Sequence, residues 1–188
     1  IKWRPRADWV VDATLNPDFS QVELDVPQLA VNTRFAQALP EKRPFFLEST
    51  DVIALPEAAF YSRTVTDPAW GLRATWRGAD GDATALSLRD DGGGLLRRPG
   101  PYGIEWLPQQ RRSQATLLRG RWHGGPLSVG ALLTTREEEA GGASNRVAGA
   151  DLEWRPSAEQ RLSARAMASR SRDGASAPGE DGHHLQAN

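Results

Sequence analysis

The chain has 188 residues, a formal net charge of -1, 39% hydrophobic residues and 25% charged residues. That length suits one domain with a sizeable core, and a charge so close to zero leaves no electrostatic footprint for nucleic acid. The absence of cysteine excludes disulfides, thiolate metal sites and a cysteine nucleophile.

Arginine outnumbers lysine by 21 to 2. This reads either as a guanidinium-lined surface that grips carboxylates and other anions bidentately or as coding bias in a GC-rich genome. No apolar run approaches the roughly 18 residues of a membrane helix. Barrel strands escape that test, because their apolar residues alternate with polar ones.

Trp3-Arg4-Pro5-Arg6-Ala7-Asp8 closely matches Trp154-Arg155-Pro156-Ser157-Ala158-Glu159. In both places a tryptophan ends one segment, an Arg-Pro turn follows, and an alternating segment begins. Proline fixes φ and cannot continue a ladder, which accounts for the turn. Ile1-Lys2-Trp3 is therefore expected to be a strand stump, so that residues 1–15 hold a stump, a turn and a strand.

Residues 16–69 do not keep the alternation. Val22, Leu24 and Val26 suggest a short strand, and Asn32 suits the cap of a short helix through Leu39, stopped by Pro40. Two stretches stand out: Asn16-Pro17-Asp18-Phe19-Ser20-Gln21-Val22-Glu23, and Pro40-Glu41-Lys42-Arg43-Pro44-Phe45-Phe46-Leu47-Glu48, the latter followed by Phe60-Tyr61-Ser62-Arg63. Over roughly residues 8–78 the sequence resembles a bacterial family of unknown function. Its members pair a family-nine-like carbohydrate-binding module with a C-terminal domain thought to be an outer-membrane barrel. The resemblance implies carbohydrate only through a module outside this chain, and it transfers no catalytic residue. From the residues themselves, Glu41, Lys42, Arg43, Glu48 and Arg63 form a candidate ionic cluster around Phe45, Phe46 and Phe60. A segment this long is too much for an idle loop, so a cap or plug-like insert is expected. Two readings stand: a gate held in a lumen by ion pairs, or filler that satisfies luminal polar groups.

From Trp70 onward strand follows strand. Trp70, Leu72, Ala74 and Trp76 alternate with Arg73, Thr75 and Arg77, and Gly78-Ala79-Asp80-Gly81 makes a turn. Residues 83–89 place Thr84, Leu86 and Leu88 on one face, assigned here to the apolar side. A long loop is expected over roughly 90–112. Residues 113–122 put Thr116, Leu118, Gly120 and Trp122 on one face, and His123-Gly124-Gly125 turns the chain. Leu127, Val129, Ala131, Leu133 and Thr135 alternate over 126–136, and a polar loop begins at Glu137-Glu138-Glu139. The last pair sets Ala148, Ala150, Leu152 and Trp154 beside Leu162, Ala164, Ala166 and Ala168. Period two sustained this long is a β signal. Residues 173–188 are expected to be a loop.

Three features turn β into membrane β. The strands run about 9–11 residues, the length that spans a bilayer when tilted. The apolar positions carry no charge, while the opposite face mixes charge with small residues. Short and long connections alternate. Trp3, Trp9, Trp76, Trp122 and Trp154 fall at one rim and Trp70 at the other, as an aromatic girdle does at the headgroup layer. The expected architecture is therefore an all-β, antiparallel, up-and-down transmembrane β-barrel segment. It would be an open curved sheet if residues 1–188 are a piece of a larger barrel domain, with 1–15, the insert at 16–69, hairpins over 70–172 and a final loop.

Catalytic chemistry leaves no clear trace. His183-His184 with Asp181 suggests a metal site or, more simply, a solvated loop, and His123 lies in a turn. The glycines at 92–94 lack the lysine and helix of a phosphate loop. Glu137, Glu138 and Glu139 read as cation-bridging groups toward lipopolysaccharide or as a solvated acidic loop. No catalytic, cofactor-binding or metal residue is assigned. The expected setting is the outer membrane of a Gram-negative bacterium, with outer-membrane lipid as partner, and a role in transport or in surface anchoring of a carbohydrate-binding module. The rivals are a soluble carbohydrate-binding β-sandwich and a barrel-borne hydrolase, the latter requiring a serine or carboxylate site at one rim.

Overall fold

The computed structural model of the protein describes residues 1–17, 43–48, 50–53, 65, 67–92, 94–100, 103–109, 111–172 and 178–187. Along the chain lie β1 (Lys2–Trp3), β2 (Trp9–Leu15), α1 (Pro44–Leu47), α2 (Thr50–Ile53), β3 (Pro68–Gly78), β4 (Gly81–Asp90), β5 (Gly94–Gly100), β6 (Gly103–Gln109), β7 (Ser113–Gly124), β8 (Leu127–Glu138), β9 (Ser144–Trp154), β10 (Leu162–Arg172) and β11 (Glu180–Ala187). Nine strands form one sheet in the order β1-β2-β3-β4-β7-β8-β9-β10-β11, with β5 and β6 paired as a separate hairpin. Every pairing is antiparallel. The all-β, up-and-down expectation holds. The sheet is open, with β1 and β11 at its edges.

Turn chemistry sets the register. Gly78 faces Gly81 across Ala79 and Asp80, so two residues reverse the chain. Gly125, at φ +58°, supplies the left-handed residue at the β7–β8 turn. Each turn then fixes which residues oppose one another along the whole hairpin.

Turn geometry also overturns one assignment. Gly78 opposite Gly81 sets Trp76 opposite Ala83 and Ala74 opposite Ala85. On β4 the residues sharing a face with the tryptophan are therefore Ala83, Ala85 and Ser87. Thr84, Leu86 and Leu88 are buried on the other face. Both faces of β4 are uncharged over residues 83–88, so residue size misled where the turn did not.

Three further expectations need correction. The region 90–112 contains the β5–β6 hairpin, whose Pro99 and Pro108 are tolerated because each strand has a single partner. The expected loop at 173–188 contains β11, paired with β10 from Ala187 opposite Ala164 to Glu180 opposite Ser171. Its Glu-Asp-Gly-His-His composition hides it from propensity, and the β10 ladder makes the strand. Short and long connections alternate as far as β8 and then lapse, since 155–161 is no shorter than 139–143. The strand at 22–26 and the helix at 32–39 lie outside the described residues.

The core lies on one face of the sheet. Phe45, Phe46 and Val65 from the 16–69 region pack on Leu86, Leu88, Ala115, Leu117 and Leu132, and Met167 joins them from β10. Val52 of α2 is fully buried beside them. Burying a side chain of this size contributes about 1.5–3 kcal/mol. Four-residue helices have no stability of their own, so α1 and α2 exist because they are docked here.

Candidate functional site

The face turned away from this core is a continuous uncharged belt. One row across the strands reads Trp3, Val11, Ala74, Ala85, Leu118, Leu133, Ala148, Ala168 and His183. The next row toward the short turns reads Trp9, Trp76, Ala83, Gly120, Ala131, Ala150, Ala166 and Leu185. None of these residues is buried. Exposed β-faces in water carry charged and polar residues in alternation with the core; these rows carry neither Asp, Glu, Lys nor Arg. Charges on this face begin only near the long-connection end, at Arg89, Glu137, Arg146, Arg170 and Asp181.

The tryptophans mark the other boundary, and their line is oblique. The row holding Trp76 passes through Gly120, and Trp122 stands two residues nearer the turns, two strands away. Trp122 shares a row with Leu152 through Val129, and Trp154 again stands two residues nearer the turns, two strands further. One residue per strand, at about 3.3 Å along and 4.8 Å across, is a slope of about 35°. From Leu127 to Thr135 the belt then stands about 22 Å tall, measured at right angles to the tryptophan line. Spanning barrels tilt their strands by about 35–45° and present an apolar band of about 25 Å.

The indoles are seated toward the turns. A Cβ at Gly78 would collide with the Trp76 ring, and one at Gly124 with the Trp122 ring. Trp76 also donates its indole N–H to Asp8 Oδ2 at 3.0 Å. Each ring covers the glycine two residues on, and at Trp76 the polar edge meets a turn carboxylate. Trp70 sits at the opposite end of β3, facing Leu15.

The inner face is ion-paired. Lys2, Asp12 and Arg73 stand side by side across β1, β2 and β3. The Arg73 guanidinium, 2% exposed, donates to Asp12 Oδ2 at 2.9 Å, Glu48 Oε2 at 3.0 Å and the Glu48 carbonyl at 2.9 Å. It also donates to the Phe45 carbonyl and lies 5.2 Å from that ring's centroid. Lys2 Nζ reaches Glu48 at 2.6 Å. That hydrogen bond holds the Glu48 carboxyl below the usual carboxylate range; burial opposes it and the Arg73 charge assists. Arg77 meets Asp51 at 2.9 Å. Further along, Arg119 pairs with Asp151 across Gly130, where a Cβ would strike both partners. Arg121 grips Asp82 through two bonds, at 2.8 and 2.7 Å, and Arg136 reaches Asp90 at 3.3 Å.

One serine–histidine–aspartate line occurs at the short-turn rim. His123 Nδ1 lies 2.9 Å from Ser128 Oγ, and Nε2 lies 3.5 Å from Asp82. His123 and Ser128 are directly opposed across a hairpin, so their contact follows from register. Asp82 already gives both oxygens to Arg121. The arrangement reads as a rim polar network.

Residues 1–76 match the family model of a domain of unknown function, DUF5916. The match spans β1, β2, β3 up to its last two residues and both motif stretches, and ends at Trp76. No curated protein and no solved structure matches the chain.

Of the candidate ionic cluster, Glu48 stands in the Arg73 network. Arg43 donates to the Val65 carbonyl at 2.7 Å and lies 4.3 Å from the Phe46 centroid. Glu41, Lys42, Arg63 and Phe60 lie outside the described residues. Arg73, Asp12 and Lys2 were not singled out by sequence reasoning, although one face of β1–β3 read in register brings them together. His183 and His184 are successive residues of β11 and point to opposite faces, so they do not converge on one ion. Glu137 and Glu138 belong to β8 and pair with Arg146 and Arg111 at 2.7 and 2.8 Å.

Proposed function

We propose that this chain supplies wall strands and a luminal insert to a β-barrel in the outer membrane of a Gram-negative bacterium. The observation that carries the reading is the uncharged exposed belt, bounded by an oblique line of tryptophans at one end and by charges at the other. Lipid is the occupant that such a face suits, because its positions short of the charged end are apolar or small apart from His183 on β11, and among the described residues no second sheet covers it. A soluble β-sandwich would bury this face. The half-exposed inner positions of β9–β11, among them Ser163, Arg165, Ser169 and Gln186, suit a wet lumen and favour transport over a purely anchoring role for a carbohydrate-binding module.

The test is membrane fractionation of the full-length protein, with Leu133→Arg beside Arg165→Leu. The parent is expected in the outer-membrane fraction after a urea wash. An arginine at Leu133, in the middle of the belt, is expected to cost about 2–4 kcal/mol of assembly, while Arg165→Leu on the inner face leaves assembly largely intact. Recovery of the parent in the soluble fraction, or equal effects of the two changes, contradicts the proposal.

A further inference from the structure

We propose that α1 and α2, with Arg43 and Glu48, are a releasable plug whose latch is Arg73, resting on the reading that the inner face is a lumen. Among the described residues, two phenylalanines and Val52 pack against the core strands, and Arg73 makes most of the polar contacts, with Lys2 on Glu48 and Arg77 on Asp51 beside it. Its guanidinium caps main-chain carbonyls at Phe45 and Glu48, both in or next to α1, so it supplies the helix end with donors that the helix cannot find for itself. The same group pairs with Glu48 and with Asp12 of β2. Phe45 lies directly over Gly71, where a Cβ would overlap its ring, so the ring seats only on a strand without a side chain there.

One buried side chain thus bridges wall and insert through main-chain, charge and ring contacts together. Losing it takes a cation from Asp12 and from Glu48, leaves Glu48 with Lys2 alone, and frees two carbonyls at once. That is a cooperative loss, and a helix of four residues does not survive undocking. The segment therefore has two states, seated and unfolded, with no graded series between them. Releasing it takes Phe45 and Phe46 off Leu86, Leu88 and Leu117.

Single-cysteine reporters in an otherwise cysteine-free background test this; residues 1–188 contribute no cysteine. Val52→Cys, at a position with 0% exposure, is placed in the full-length protein and reacted with a bulky hydrophilic maleimide. Labelling is expected to be slow in the parent and at least tenfold faster with Arg73→Gln or with Glu48→Gln. Strand content by circular dichroism should be unchanged. Glu48→Gln leaves the wall arginine in place, so a wall defect in Arg73→Gln does not hide the answer. Fast labelling in the parent overturns the latch, as does equal protection in the parent and in a Glu48→Gln protein of native strand content. Solute flux into vesicles is read separately. Faster labelling without any change in flux leaves the latch standing and contradicts the transport reading.

Discussion

Some glycines in this sheet sit where a ring or an ion leaves no room for a side chain and others do not, and two on one strand show the contrast. Gly124 lies under the Trp122 indole, whereas a Cβ at Gly120 meets nothing within 4 Å. Gly124→Val is therefore expected to destabilise by about 1–3 kcal/mol through forced displacement of the ring, and Gly120→Val to be tolerated. Urea titration of tryptophan fluorescence on both variants measures the difference, and equal midpoints would contradict this seating of Trp122. Glu48 gives a second prediction. Its folded carboxyl titrates below the ordinary range, so its contribution is fully present above the unfolded glutamate pKa of about 4.3. That contribution fades as the pH falls through the lower folded value. The urea midpoint of the parent should fall in that acid window, and Glu48→Gln should remove the Glu48 share of the fall. An unchanged acid profile in Glu48→Gln would place the pH dependence elsewhere.

At the scale of single elements, β4 decides whether the face assignment is right. Leu88 is fully buried under the insert and Leu118 is exposed on the belt. Leu88→Ala is expected to cost about 2–5 kcal/mol, and Leu118→Ala much less in a lipid or detergent host, where its surroundings remain apolar. The reverse order, measured by denaturant midpoints, would return Leu88 to the outer face. β4 also shows what the sequence made legible. β3, β7, β9 and β10 read correctly because, short of the long-connection end, one face carries charge and the other does not; β8 reads from Leu127, Val129 and Leu133 alternating with Ser128, Gly130 and Thr134. β4 has no charge over residues 83–88, so only the Gly78–Gly81 turn distinguishes its faces. β11 was missed because its residues are polar and its strand depends on β10. The ionic site was half legible: Glu48 and Arg43 stand out beside the phenylalanines. Arg73 looks like one more inward charge until the register sets it between Asp12 and Leu86.

Across the whole molecule, the inner face is a compact core near β3, β4, β7 and β8 that gives way to half-exposed polar residues toward β11. The outer face keeps its uncharged belt across all nine strands, with charges gathered at its long-connection end. An open sheet with such a face would expose a large apolar patch to water, a condition associated with aggregation or with an apolar partner. The central claim is that this face meets lipid, and neighbouring residues of β8 test it most directly. Leu133 is 41% exposed and Leu132 is 5% exposed, one residue apart on opposite faces. Nitroxide labels placed in turn at 129, 130, 131, 132, 133 and 134 in the full-length protein, reconstituted in lipid vesicles, report collisions with oxygen and with a water-soluble nickel chelate. The account predicts alternation with a period of two. Positions 129, 131 and 133 should be high in oxygen and low in nickel, with depth greatest near 131 and 133. Nickel accessibility at 131 and 133 equal to that of a loop position would contradict it.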